Sequence, residues 1–274
     1  MCETCGCGNP EGFKIHGPYH THSHGEDHLH EHEHGHDHTH SHTHSHDEDH
    51  QHSHDHTHQK VVNLNVDILS ANNLTAGMNR RFFEGRKALC LNLVSSPGSG
   101  KTTILEKTII SLIPSKKIYV IEGDQQTHLD ADRTAKAGAT AIQINTGSGC
   151  HLDAKMVENA LEKLDLETNS ILFIENVGNL VCPAMFDLGE HKRVVVVSTT
   201  EGDDKPVKYP NMFGTSHLCI INKSDLLPYV DFRMEEFIKN ARIVNPDLEV
   251  ITVSAKTGEG MDKWFEWIFN QQKN

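Results

Sequence analysis

The chain has 274 residues, of which 36% are hydrophobic and 23% charged, and a formal net charge of −13. That length holds one α/β domain with a full core plus an appendage, and the acidic balance excludes the basic footprint of a nucleic-acid binder. No apolar run approaches a membrane span and the start shows no signal-peptide pattern, so seven cysteines read as thiols or metal ligands in a reducing, cytoplasmic setting.

Residues 1–7, MCETCGC, place Cys2, Cys5 and Cys7 close to the α-amine. Thiolates select soft ions such as nickel, copper(I), zinc or an iron–sulfur cluster. A redox dithiol or half a zinc site competes with that reading. Residues 8–60 follow, with 19 of the 23 histidines between His16 and His58 and almost nothing apolar. Such a stretch cannot offset its ordering entropy and is expected to be disordered. Dense imidazoles suit a weak multi-ion nickel store, while a solubilising linker or a tag is the plain alternative. The charge is concentrated here, with eleven acids against two bases over residues 1–60. Residues 61–87 carry apolar positions Ile68, Leu69, Leu74, Met78 and Phe82, which reads as a helical bridge of one or two helices, with Asp67 a possible N-cap.

From residue 88 to 274, short apolar runs alternate with helical periodicity. The runs are 88–94, 118–122, 141–145, 171–175, 194–198, 218–222 and 250–254. The helical segments are 102–113, 128–137, 153–164, 232–243 and 261–269. Near-continuous β-branched strands between helices predict a mostly parallel sheet covered on both faces. Ligands then gather at the carboxyl ends of the strands.

The first run leads into Ser95-Ser96-Pro97-Gly98-Ser99-Gly100-Lys101-Thr102-Thr103. Strand, glycine loop, Lys-Thr and helix are the parts of a phosphate-binding P-loop, although Ser95 stands where the first glycine is usual. Backbone N–H groups at a helix N-terminus would cradle phosphate. Lys101 would reach the β- and γ-phosphates, and the Thr102 hydroxyl would bind Mg²⁺. Asp124, past the second run, is placed to hold Mg²⁺ or orient water; capping the next helix is the structural alternative. Asp130, Asp132 and Arg133 follow as candidates for a switch segment. Glu175-x-x-Gly178 has the form of a γ-phosphate-sensing loop, with Glu175 able to polarise a Mg²⁺-bound water and Gly178 able to meet the phosphate. Asn222-Lys223-Ser224-Asp225 is an NKxD, in which Asp225 accepts from guanine N1–H and the 2-amino group. Asn222 would fix the loop and Lys223 would cover the base. Ser254-Ala255-Lys256 supplies a backbone N–H for guanine O6. These residues favour GTP over ATP.

Cys150-His151 follows a glycine-rich loop, and Cys182 lies in the segment after Glu175 and Gly178. Two thiolates and an imidazole suit Zn²⁺ or Ni²⁺ and leave a position open for water or a second copy of the chain. Buried cysteines acting as small hydrophobes are the alternative. Cys90 and Cys219 sit inside apolar strands and are expected in the core.

Taken together, MCETCGC, the histidine run, SSPGSGKTT, EGDQQT, GCH, ENVGNLVCP, NKSD and SAKTG resemble the hydrogenase nickel-incorporation GTPases of the HypB family. The resemblance covers nearly the whole chain. It implies a dimeric P-loop GTPase of the SIMIBI type and a slow GTP hydrolysis, with Lys101, Asp124 and Glu175 as catalytic residues. It also implies a cytosolic metallochaperone that delivers Ni²⁺ to the large subunit of [NiFe]-hydrogenase, with a HypA-type partner. By the same resemblance Cys2, Cys5 and Cys7 would be the tight nickel site, and Cys150, His151 and Cys182 the zinc or nickel site of the GTPase domain. No arginine finger stands out; Lys205 or Lys208 is a candidate for reaching across a dimer. The competing readings are a nickel-buffering protein whose nucleotide domain controls assembly, and a urease-type nickel-insertion GTPase, against which the MCETCGC start argues.

Overall fold

A computed structural model describes residues 14–16, 57–125 and 129–272. Its centre is an eight-stranded sheet in the order β1-β4-β3-β5-β2-β6-β7-β8. The strands are β1 (Lys14–His16), β2 (Leu89–Ser95), β3 (Ile118–Asp124), β4 (Thr140–Asn145), β5 (Ile171–Gly178), β6 (Lys192–Ser198), β7 (Leu218–Asn222) and β8 (Glu249–Thr252). All seven expected runs are strands, and they pair in parallel. The unexpected β1 pairs antiparallel with the β4 edge.

Strand alternation explains the layers. On β2, Leu89, Leu91 and Leu93 face α2 (Lys101–Leu112) and α8 (Met261–Gln271), where they pack with Ile104, Leu105, Ile109, Trp264 and Trp267. Cys90 faces the opposite layer with Ile121, Ile142, Leu172 and Ile174, covered by α1 (Thr57–Arg86) and α4 (Ala154–Leu161). Val94, Val195, Val197 and Ile221 meet Phe213 of α6 (Pro210–Thr215) and Phe237 of α7 (Met234–Val244). With both faces covered, the strands need no polar side, so they read as continuous apolar runs. The Trp264 indole N–H donates to the Thr108 hydroxyl at 2.8 Å, fastening α8 to the helix that follows the glycine loop.

Asp67 does not cap a helix. α1 runs through it as one element of 30 residues, because no glycine or proline interrupts the segment before Gly77 to stop the hydrogen-bond ladder. The remaining α-helices among the described residues are α3 (Leu129–Lys136) and the short α5 (Lys205–Lys208), with 3-10 turns at Cys182–Ala184 and Ser224–Tyr229. Cys90 and Cys219 are fully buried in β2 and β7, and burial pushes both thiols up. Both are core residues, as expected. No helix among the described residues is long and apolar enough to cross a membrane.

Candidate functional site

The carboxyl ends of β2, β3 and β5 open onto a cavity of about 590 Å³. It is lined by residues 95–103, by Glu122 and Asp124 of β3, and by Asp130 and Arg133 of α3. Glu175 and Gly178 of β5 and Lys223 after β7 also line it. The glycine loop takes left-handed backbone at Gly98 (φ 73°) and Gly100 (φ 93°). At Gly100 a Cβ would lie 2.3 Å from Asn222 Nδ2, so any side chain there would have to displace the Asn222 amide. That approach lets Asn222 donate to the Ser99 carbonyl at 2.9 Å and accept from the Ala255 N–H at 3.0 Å. Lys223 donates to the Gly98 carbonyl at 2.7 Å, and the Ser254 hydroxyl donates to Asp225 at 2.6 Å. The NKxD and SAK segments are thereby tied to the glycine loop and to each other. Lys256 is exposed.

On the other side of β2 the charges converge. The Thr102 hydroxyl donates to Glu175 at 2.6 Å, and Lys101 Nζ lies 3.3 Å from the same carboxylate oxygen. The other Glu175 oxygen, one Glu122 oxygen and the Ser99 hydroxyl are buried with no hydrogen-bond partner. Buried polar atoms are rarely left so, and this set fits a phosphate with its divalent cation. Asp124 closes β3, and one of its oxygens accepts from the Gln125 N–H at 2.7 Å.

Glu122 received no role from the sequence, yet it faces the cavity beside Glu175, its register partner on β5. Burial, then the neighbouring Glu175, Asp130 and Asp124, push its carboxyl up to about 9, against the pull of Lys101. The signal available was spacing: residues 122 and 124 share one face of a strand. Arg133 lies in α3, donating to Glu106 at 2.6 Å and to Asp130 at 3.1 Å. Lys205, from α5, stands 3.5 Å from the Ser96 hydroxyl within its own chain and pairs with Glu201. Lys208 is exposed beside Asp204.

Cys150, His151 and Cys182 come together, their ligand atoms all within 4.8 Å of one another. The sulfurs of Cys150 and Cys182 are 3.0 Å apart, and His151 Nδ1 lies 3.8 Å from Cys150 Sγ. A tetrahedral ion with bonds of about 2.0–2.3 Å sets its ligand atoms roughly 3.3–3.8 Å apart, so the imidazole already stands at that spacing and the two sulfurs would open by several tenths of an ångström to admit the ion. The His151 ring stacks on Phe186 with centroids 4.0 Å apart, and burial lowers its pKa, which favours the neutral, ligating form. The set therefore fits a nickel or zinc ion. Cys2, Cys5, Cys7 and the histidines from 20 to 56 lie outside the described residues.

Residues 89–252 match the CobW/HypB/UreG nucleotide-binding domain. The hydrogenase maturation factor HypB of Escherichia coli is 55% identical over 214 residues, covering 78% of this chain and 74% of that one. The chain belongs to the HypB family. The HypB of Rhizobium leguminosarum is 57% identical over 210 residues, 77% of this chain and 70% of the relative. Among solved structures, HypB from Helicobacter pylori, crystallised in complex with nickel, has a TM-score of 0.71 at 37% identity. It covers 74% of this chain and 95% of that one. The chain is thus a hydrogenase maturation factor of the P-loop GTPase class, and its mostly parallel sheet is the HypB fold.

Proposed function

We propose that this HypB-family chain is a GTP-hydrolysing nickel metallochaperone that inserts nickel into the large subunit of [NiFe]-hydrogenase. One observation carries the reading: β5 bears Glu175 and Gly178 at the phosphate cavity, and the chain reaches Cys182 four residues later, against Cys150 and His151. The strand that would feel the third phosphate thus runs directly into the turn that carries a thiol ligand for the cargo ion.

Residues 96–103 and Gly178 bind the phosphates, while Asn222, Lys223, Asp225, Ser254, Ala255 and Lys256 frame the guanine. Thr102 and Asp124 would hold Mg²⁺, which would supply positive charge beside the transferred phosphoryl group. Lys101 supplies a fixed positive charge at the same place. Glu175 orients the attacking water once phosphate draws Lys101 and Thr102 away from it. Slow hydrolysis is expected, because among the described residues no arginine stands free over the cavity: the Arg133 guanidinium is held by Glu106 and Asp130.

Cys150, His151 and Cys182 hold nickel, or zinc in its absence. Three ligands per chain leave the site open to a second copy, and the working form is a homodimer assembled around nucleotide in the cytoplasm. Cys2, Cys5 and Cys7 form the tighter nickel site, the histidine run from His16 to His58 stores further nickel, and a HypA-type partner takes part in delivery. The test is nickel release to a chelator from the full chain carrying GDP or a non-hydrolysable GTP analogue. A release rate that differs several-fold supports the switch. Equal rates overturn it, since a ligand indifferent to conformation shifts nothing.

A further inference from the structure

Gly178 is flanked by two asparagines that both reach the Cys150 loop. Asn176 Oδ1 accepts from the Leu152 N–H at 3.2 Å and from the Val177 N–H at 3.0 Å. Asn179 Nδ2 donates to the Cys150 carbonyl at 3.3 Å, while its Oδ1 accepts from the Val181 N–H at 2.9 Å. His151 lies between these two points of attachment. Its segment is therefore gripped at both ends from the strand that presents Gly178 to the phosphate cavity. Gly178 itself rests on the glycine loop, where a Cβ would lie 3.2 Å from Pro97 Cα.

The chemistry of the clasp is particular to the amide. At 179 one side chain must accept from an N–H on its own loop and donate to a carbonyl on another. Asparagine offers both groups on one short stem, a hydroxyl is too short to span them, and a carboxylate has no hydrogen to give. Asn176 is braced from behind: its Nδ2 donates to Asn92 Oδ1 at 3.4 Å, and Asn92 donates to Glu190 at 3.0 Å. The brace is buried and the Asn179 end is half-buried, so the movable end is at 179.

Hydrogen bonds weaken steeply when stretched by about 1 Å. A shift of Gly178 of that size toward a third phosphate must drag the Cys150 carbonyl along or release it. Both outcomes change the separation of Cys150 from Cys182, and with it the fit of the ion.

We propose that Asn179, assisted by Asn176, is the positioning residue that couples phosphate state to metal affinity at Cys150, His151 and Cys182. The inference rests on the nucleotide-coupled reading above and names its mechanical part. The experiment uses the full chain carrying Cys2→Ser, Cys5→Ser and Cys7→Ser, with nickel buffered by a chelator strong enough to mask weak histidine sites. Nickel affinity is measured with GDP and with a non-hydrolysable GTP analogue, for this parent, for Asn179→Ala and for Asn179→Asp. The parent ratio between the two states is expected to be at least about fivefold, and both variants bring it to within about twofold of unity. Reciprocity requires the effect of nickel on the ratio of analogue to GDP affinity to shrink by the same factor, whereas a loop merely loosened would lose nickel affinity equally in both states and keep the parent ratio. Asn179→Asp keeps the acceptor for Val181 and serves where alanine unsettles the turn. Variants that retain the parent ratio overturn the clasp and leave the coupling standing. A parent ratio of one overturns the coupling, and the clasp with it.

Discussion

The two halves of the sheet, divided at β2, are built on opposite principles. Toward β6, β7 and β8 the base-reading loops satisfy one another: Asn222 binds Ser99 and Ala255, Lys223 binds Gly98, and Ser254 binds Asp225. Toward β5, β3 and β4, carboxylates crowd together, with oxygens of Glu122 and Glu175 left unpartnered, and the thiol and imidazole cluster lies beyond them. A pre-tied region pays little to bind and discriminates well. A region of crowded acids and open valences waits on its ligands to complete it, and is where a change of state is cheapest.

The largest effect expected from disturbing the tied half is on specificity. Asp225→Asn removes the paired acceptor, and the preference for GTP over ATP falls by two or more orders of magnitude, read by competitive nucleotide binding. Preserved preference would break the contrast, since the tied loops would then not be the reading frame.

Arg193 sharpens the same contrast from below the metal loop. Its guanidinium, 7% exposed, pairs with Glu190 at 2.9 Å and donates to the carbonyls of Ala184 and Phe186, just past Cys182. Removing one partner of a buried pair strands the other, so Arg193→Met is expected to cost about 3–5 kcal/mol in urea unfolding. Trp264→Phe keeps an aromatic ring but loses the bond to Thr108 and part of the buried indole volume, at about 2–3 kcal/mol. That loss should leave nickel binding unchanged, because α8 packs on the opposite layer from the Cys150 loop.

How much of this was legible in the chain follows from what each feature is made of. The strands and the glycine loop depend on local spacing and turn chemistry, which sequence carries directly. Cys150, His151 and Cys182 were legible as a soft donor set, because few residue types offer such atoms. Glu122 was overlooked because its role comes from a neighbour, Glu175, on an adjacent strand. The Glu190–Arg193 pair and the Asn176 and Asn179 clasp were silent for the same reason: amides and ion pairs acquire meaning only when topology brings distant loops together. α5 and α6 were missed because Pro206, Pro210 and Gly214 read as loop chemistry, although proline is well placed in the first turn of a short helix.

The smallest effect concerns acid. His191 and His217 each accept a backbone N–H, from Cys90 and Arg193 respectively, and burial lowers both pKa values. The unfolded chain takes up these protons near pH 6.5, the folded chain only at lower pH. Stability is therefore expected to fall as pH drops through 6.5, until the folded pKa values are passed. Replacing both rings by asparagine should flatten that part of a thermal unfolding profile, and an unchanged slope would place the acid sensitivity elsewhere.

The most direct measurement of the whole account is the affinity of the full chain, with Cys2, Cys5 and Cys7 changed to serine, for a GTP analogue with and without nickel. The account predicts that nickel alters the affinity for the analogue several-fold while leaving that for GDP nearly unchanged. Identical affinities for the analogue in the two metal states would contradict it.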